Sequence, residues 1–103
     1  MAASRLKLQT TLEEMLGSRS VYYQTPESVK MEYPCIRYSK SSIDIRRANN
    51  SIYATMNRYE IIVIDKKADN PVIEQMLTNL PYCSYDRHYV SDNLHHDVLT
   101  LYY

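Results

Sequence analysis

The sequence has 103 residues, which is enough for one compact core and too few for two, so residues 1–103 are interpreted as a single domain. Twelve basic and twelve acidic residues give a formal net charge of zero, which excludes a general electrostatic attraction to nucleic acids or anionic membranes. The single glycine excludes the glycine-rich loops that bind nucleotides, because those loops need several glycines.

The cysteine content and the N-terminal sequence indicate a cytoplasmic protein with reduced thiols. Only two cysteines occur, too few for a zinc site or a disulfide framework, and MAASRLKLQTTLEEM lacks the apolar run of a signal peptide. No stretch approaches the ~20 apolar residues that span a bilayer, so no membrane contact is expected. Eleven tyrosines stand against no phenylalanine and no tryptophan, a composition that suits half-buried strands and protein interfaces.

The first predicted element is a helix in the segment TTLEEMLG. Thr10 or Thr11 is expected to cap its start, with a glutamate three residues further on completing a capping box. Gly17 stands where glycine commonly ends a helix. Apolar residues recur on one side at helical spacing, which predicts that the helix packs on a sheet. These residues are Leu8, Leu12, Met15 and Leu16.

Two strands and a loop are predicted next. The β-forming residues from Val21 to Tyr23 make a short strand, and a second strand begins at Pro34 in the segment YPCIRYSK. Residues 41–52, SSIDIRRANNSI, show no sustained period of either kind, and we predict a loop there. A loop this long in a compact domain is often functional, with simple solvation as the alternative. Its candidate assembly contacts are Arg46, Arg47, Asn49 and Asn50.

The segment RYEIIVID is the strongest predicted strand. Tyr59, Ile61 and Val63 alternate with two further isoleucines, so both faces are covered and the strand is expected to be central in the sheet. A second helix follows in NPVIEQMLTNLP, with Asn70 as its cap and Pro71 in its first turn. Its predicted buried stripe consists of Val72, Ile73, Met76, Leu77 and Leu80.

Two final strands, at about 82–91 and 95–103, are predicted to form a hairpin that turns near Asp92 and Asn93. The order of elements predicts an α+β fold with a mainly antiparallel sheet of about five strands and two helices packed against it. The core between helices and sheet is expected to contain Leu12, Leu16, Ile61, Val63, Met76, Leu77, Leu99 and Leu101.

The final hairpin also contains a group of titratable residues, His88, His95, His96 and Asp97. Because side chains of a strand alternate between faces, the pairing register decides which of them meet. A three-residue loop that pairs Ser91 with His95 collects the apolar residues on one face and leaves His88 and His96 on the other, as diagonal neighbours at best, and we favour this register. A two-residue loop places His88 with His95 and Asp97 but scatters the apolar residues.

No catalytic, cofactor-binding or metal-binding residue is predicted, and no cofactor. The favoured register leaves fewer convergent ligands than the three or four that a metal site needs. Cys35 and Cys83 lie in apolar strand patterns, where a buried and inert thiol is expected rather than a nucleophile paired with histidine. A small hydrolase or metal enzyme that uses His88 therefore stays a minor alternative.

The order of elements resembles the small tail-terminator or tail-completion proteins of long-tailed bacteriophages. The likeness covers nearly the whole chain and includes two motifs, the PESVKMEYP connector and the YVSDNLHH hairpin. The resemblance implies a hexameric ring on the end of the tail tube, which joins the tube to the neck of the head. It also implies a virion protein assembled in the host cytoplasm, with tail tube and neck or connector proteins as partners and DNA only as passing cargo.

The main alternative is a module that binds single-stranded nucleic acid. Exposed tyrosines would stack on bases, and Arg46, Arg47, Arg58 and Arg87 would hold phosphates. The zero net charge disfavours this alternative.

Overall fold

The computed structural model describes the chain at residues 5–24, 33–48 and 51–103, and at positions 44, 46–48 and 51–55 it describes the backbone. Two helices and five strands follow in the order α1 (Arg5–Leu16), β1 (Val21–Tyr23), β2 (Cys35–Ala48), β3 (Ser51–Asp65), α2 (Val72–Asn79), β4 (Cys83–Ser91) and β5 (Leu94–Tyr102). The predicted α+β class with two helices and a five-stranded, mainly antiparallel sheet is confirmed.

The sheet has the strand order β1-β2-β3-β5-β4, in which only the β1–β2 pair is parallel. β3 lies in the middle, as its two-sided apolar pattern predicts. Tyr59, Ile61 and Val63 are buried on one face of it, and Ile64 is buried on the other. This arrangement leaves β1 and β4 as the two edge strands.

Both helices pack on the same face of the sheet. α1 contributes Leu8 and Leu12, α2 contributes Val72 and Met76, and Leu80 follows at the C-cap of α2. The sheet residues that they cover are Ile36, Tyr38, Tyr59, Ile61, Val63, Leu99 and Leu101. This face is called the core face below.

Helix α1 begins earlier than predicted. It starts at Arg5, so the capping box at Thr10 or Thr11 is wrong. The Thr10 and Thr11 hydroxyls lie inside the helix and donate to the carbonyl oxygens of Leu6 and Lys7 at 3.1 and 2.9 Å, a bond available to threonine in mid-helix. The predicted end is confirmed, because Gly17 has φ +78° and donates to the Glu13 carbonyl at 2.9 Å.

Helix α2 begins at Val72, one residue later than the start predicted from Asn70 as its cap. Asn70 Oδ1 accepts a hydrogen bond of 2.9 Å from Val72 N, so Asn70 does satisfy a backbone donor at the start of the helix. The predicted buried stripe is wrong at Leu77, which is 40% exposed while Met76 is fully buried. A helix of eight residues packed on one side buries a narrow stripe, and Leu77 faces away from it.

The predicted loop at residues 41–52 is wrong. β2 continues to Ala48 and β3 starts at Ser51, and the two strands pair throughout. Asn57 of β3 pairs with Tyr103. Before Asn57, β3 pairs only with β2 among the described residues. Residues 43–48 and 51–56 therefore form a two-stranded ribbon, called the ribbon below, which extends about 20 Å at about 3.3 Å per residue.

The ribbon makes the molecule elongated. The chain measures 51 × 31 × 23 Å, and its radius of gyration of 14.6 Å exceeds the ~13 Å of a compact chain of about 100 residues. Strand periodicity did not reveal the ribbon because its described isoleucines, Ile43 and Ile45, are exposed, and exposed positions need no alternation of apolar and polar residues.

A cluster of tyrosines fixes α1 to the sheet. Tyr38 lies 4.9 Å from Tyr23 and 5.8 Å from Tyr59 between ring centroids. The Tyr38 hydroxyl donates to Gln9 Oε1 at 2.5 Å and accepts from Arg5 Nη1 at 3.3 Å. The Tyr59 hydroxyl is buried and has no hydrogen-bond partner among the described residues.

We expect Tyr59→Phe to raise the free energy of unfolding by about 1 kcal/mol, because it removes a buried hydroxyl that forms no hydrogen bond. Tyr38→Phe is the matched control and should lower it by about 1 kcal/mol, since it removes the bonds to Gln9 and Arg5. Urea unfolding measures both values. A loss of stability in Tyr59→Phe similar to that in Tyr38→Phe would contradict the prediction.

Candidate functional site

The densest group of polar side chains lies on the final hairpin, where Asp97 is at its centre. Asp97 is only 8% exposed, and its Oδ1 atom accepts hydrogen bonds from the Tyr85 hydroxyl and from His88 Nδ1, both at 2.7 Å. His88 Nε2 lies 3.2 Å from His95 Nδ1. The four side chains thus form one continuous hydrogen-bonded chain, Tyr85–Asp97–His88–His95.

A β-bulge explains how this group comes together. The turn has two residues, Asp92 and Asn93, with φ of 51° and 63°, as in a type I′ turn. Ser91 therefore pairs with Leu94, and the favoured pairing of Ser91 with His95 is wrong. This register pairs His88 with Asp97 and places both on the core face.

Further along the hairpin, the register shifts by one residue between Tyr85 and Arg87. The extra residue at Asp86 returns Tyr85 and Cys83 to the core face, opposite Leu99 and Leu101. The bulge therefore places His88 beside Asp97 and also keeps Tyr85 and Cys83 on the core face, which a regular hairpin of the same residues cannot do together. His96 stays on the opposite face, so no more than three of the four residues of the predicted group meet.

The direction of the hydrogen bonds follows from the buried carboxylate. Because the Asp97 carboxylate only accepts, His88 must donate through Nδ1. In neutral His88 the lone pair is then on Nε2, where it accepts from His95 Nδ1. The bond to Asp97 raises the pKa of the Tyr85 phenol to about 12, and burial and the Asp97 charge add to this effect.

The group faces an open cleft of about 670 Å³ between the final hairpin and the start of α2. The loop before α2 supplies Asp69 and Asn70 to the cleft wall, and Tyr85, His88 and Asp97 supply the other side. Asn70 Nδ2 is held by Asp65 Oδ2 at 2.8 Å, which fixes this wall to the end of β3.

The arrangement can hold or relay a proton, but the elements of nucleophilic catalysis do not converge on it. Both ring nitrogens of His88 are engaged within the chain, and no serine or cysteine hydrogen-bonds to it in the described part of the protein. Burial raises the pKa of both Cys35 and Cys83 to about 11, so little thiolate exists at neutral pH. Both thiols are free, Cys35 buried and Cys83 partly buried. Among the residues that the structure describes, no three His, Cys, Asp or Glu side chains are placed to hold a metal ion.

We expect the Tyr85 ring to titrate near pH 12 in the folded protein, against about 10 for an ordinary phenol. Asp97→Asn should bring this midpoint down toward 10, since it removes the charge that holds the phenol proton. Asp86→Asn is the control, because Asp86 accepts from Thr100 and not from Tyr85. The measurement is an NMR titration of the tyrosine Cζ signals.

The raised pKa also has a defined effect on stability. The pKa of Tyr85 is higher in the folded than in the unfolded state. Its contribution to the free energy of unfolding is therefore complete below about pH 10 and is lost as the pH rises from about 10 to about 12. An unchanged Tyr85 midpoint in Asp97→Asn would show that the hydrogen bond is not what shifts it.

The predicted assembly contacts lie on or beside the ribbon. Arg46 and Arg47 are residues of β2 near the end of the ribbon, opposite Ala54 and Ile52. Asn49 and Asn50 lie outside the described residues. These arginines are thus part of a strand pair, with a shift of register between them, and not of a loop.

The ribbon also has exposed apolar residues. Register shifts at Ser41 place Ile43 and Ile45 opposite Asn57 and Thr55, on the side of the sheet that continues the core face. They are 50% and 46% exposed. The core face therefore extends outward along the ribbon, where the described residues leave these two isoleucines exposed.

The four arginines of the nucleic-acid alternative occupy separate parts of the sheet and do not form one patch. Two lie on the ribbon, whereas Arg87 lies on β4 at the opposite edge of the sheet. Around Arg87, however, the rings of Tyr89 and His96 stack at 4.6 Å and 10°, and the guanidinium lies 5.8 Å from the Tyr89 ring.

Comparison of the sequence with models of known protein families and with curated proteins finds no match. Among the described helices, none combines the length and apolarity needed to cross a bilayer.

Proposed function

We propose that the protein is a tail-terminator subunit of a long-tailed bacteriophage, which forms a ring on the end of the tail tube and joins it to the neck of the head. The observation that carries this proposal is the ribbon, where Ile43 and Ile45 continue the core face and are left exposed by the part of the chain that the structure describes. The whole-chain resemblance to tail-terminator proteins supplies the biological setting and the expected number of six subunits.

The ribbon has the physical properties of an assembly arm. A two-stranded ribbon is marginally stable by itself in water, so contacts with another protein would stabilise it. Its exposed isoleucines add apolar area that a neighbouring copy can bury. If the arm of each subunit lies on the body of the next, the contact is heterologous, and such contacts close into a ring when the rotation between copies allows it.

The edge strand β4 offers a second surface for the proposed partners. Every residue from Ser84 to Ser91 is exposed, and no described strand pairs with the outer edge of β4. Tyr85, Tyr89 and Val90 are 44%, 37% and 57% exposed along it. Tyrosine is enriched in protein interfaces, and free strand edges readily add another strand. The tube and neck proteins are the proposed partners of this edge.

The zero net charge agrees with a ring through which DNA passes as cargo. A strongly basic subunit would hold the phosphate backbone by releasing its counterions, and this retention would oppose the passage of DNA. The proposal needs neither a cofactor nor a catalytic residue.

The proposal is tested in phage particles that lack this protein. We expect unattached tails of irregular length together with separate DNA-filled heads, visible by electron microscopy, and restoration of complete particles when the wild-type chain is supplied in trans. Tails of normal length joined to full heads in the absence of the protein would overturn the proposal.

One observation favours the alternative function in single-stranded nucleic-acid binding, namely the exposed stack of Arg87, Tyr89 and His96. Stacking on an aromatic ring together with phosphate neutralisation gives affinity that falls steeply with salt. A fluorescence titration with an oligonucleotide at two salt concentrations distinguishes the functions, because the ring proposal requires no such binding by the isolated subunit.

A further inference from the structure

The hydrogen-bonded chain on the final hairpin brings two imidazole nitrogens within hydrogen-bonding distance of each other. His88 is on β4 and His95 is on β5, and their positions are diagonal across the strand pair. Nε2 of the first ring lies 3.2 Å from Nδ1 of the second, and the ring planes are inclined by 34°. The two nitrogens can share a proton, as in the hydrogen bond, or they can both bind one metal ion in its place.

The separation of the two nitrogens fits a metal ion held between them. Zinc binds histidine nitrogen at about 2.0–2.1 Å, and two such bonds that span 3.2 Å enclose an angle of about 100°. This angle is close to that of a tetrahedral centre. Small rotations of the two side chains, which are partly exposed, bring both lone pairs toward that point.

The hydrogen bond to Asp97 fixes His88 in the tautomer that metal binding requires. By accepting from His88 Nδ1, Asp97 leaves the lone pair on Nε2, and the Tyr85 hydroxyl holds the carboxylate in place. A metal-binding histidine commonly donates its other N–H to a carboxylate in this way, which orients the ring and strengthens it as a ligand. In His95 the proton need only move from Nδ1 to Nε2, so binding to the neutral pair releases no proton.

From this geometry we infer that His88 and His95 form a binding site for a divalent transition-metal ion of the zinc class, with Asp97 as the positioning carboxylate. The two imidazoles select zinc, copper or nickel over magnesium and calcium, which prefer oxygen ligands. Because the protein supplies two ligands, water occupies the remaining positions, and the adjoining cleft of about 670 Å³ has room for it. A bound ion would cross-link β4 to β5 beside the turn.

The test is a calorimetric titration of the full chain, freed of metal by a chelator, with zinc chloride. We expect a single site, loss of binding in His95→Ala, and unchanged binding in His96→Ala. His96 is a matched control because it neighbours His95 but lies on the opposite face, stacked on Tyr89 with Nδ1 at the Leu94 carbonyl. Asp97→Asn should weaken the affinity about 10–100-fold. Magnesium chloride should show no binding.

A second measurement does not depend on how the variants fold. In the wild-type chain, zinc should shift the imidazole 15N signals of His88 Nε2 and His95 Nδ1 and leave those of His96 in place. Absence of binding, equal loss in His96→Ala, or shifts confined to His96 or the cysteines would overturn the inference. All measurements use the isolated subunit, so their outcome is independent of whether the protein forms a tail ring.

Discussion

Replacing Met76 with alanine is expected to lower the free energy of unfolding by about 2–5 kcal/mol. Met76 is fully buried between α2 and the sheet, so its truncation removes apolar burial and leaves a cavity that the packed strands cannot close. The free energy of unfolding, measured by urea denaturation with circular dichroism, gives the loss directly. A domain of this size has only ~5–15 kcal/mol in total, so this variant should be markedly destabilised.

Leu77→Ala is the matched control for this prediction, because it removes a similar side chain one position away. The Leu77 side chain is 40% exposed, and its truncation should cost only a small part of the Met76 effect, close to the ~0.5 kcal/mol typical of surface positions. Equal losses in the two variants would show that α2 is rotated relative to the sheet, with both residues inside the core.

If the protein is the tail-terminator subunit proposed above, the double substitution Ile43→Asp and Ile45→Asp is expected to abolish its incorporation into phage tails without unfolding the domain. Each fully buried isoleucine contributes about 1.5–3 kcal/mol, and a carboxylate in its place would have to be buried without a partner. Since every subunit of a ring repeats the same contact, the loss recurs at each interface. Complementation of the deletion phage measures incorporation, and thermal unfolding of the isolated chain measures stability.

Leu77→Asp provides the comparison for assembly, because Leu77 is exposed to a similar degree but lies on α2, away from the ribbon. It should leave incorporation intact. Arg46→Ala with Arg47→Ala tests the charged part of the same arm and should impair assembly most at low salt, where the ionic contacts that it removes are least screened. Normal tails from the isoleucine double variant would show that the ribbon is not an assembly arm.

Elements with a buried face were predictable because burial imposes a period on the sequence. β3 shows this most clearly, since Tyr59, Ile61 and Val63 alternate with residues of the other face and its central position followed from that pattern alone. The Gly17 terminus of α1 was also predictable, because few residues other than glycine adopt its positive φ.

Neither the ribbon nor the hydrogen-bonded chain of the final hairpin was predictable from the sequence, and the reasons differ. Among the described residues, each strand of the ribbon pairs only with the other, and the side chains of Ile43 and Ile45 are exposed, so burial imposes no alternation on them. In the hairpin, the pattern of apolar residues required one register and the turn at Asp92 and Asn93 required another. The parity of residue numbers cannot reveal a bulge, because the single extra residue at Asp86 leaves each half of the strand with a regular pattern.

The bulge at Asp86 constrains how this protein can vary through evolution. Losing the Asp86 codon would restore simple alternation and keep both pairings, Tyr85 with Leu99 and His88 with Asp97. Substitutions at the exposed positions of β4 other than Tyr85 and His88 disturb neither pairing. Descendants of this sequence should therefore vary in residue type at those positions and can lack the residue at Asp86, while the numbers of residues from Cys83 to Tyr85 and from Arg87 to Leu101 stay constant.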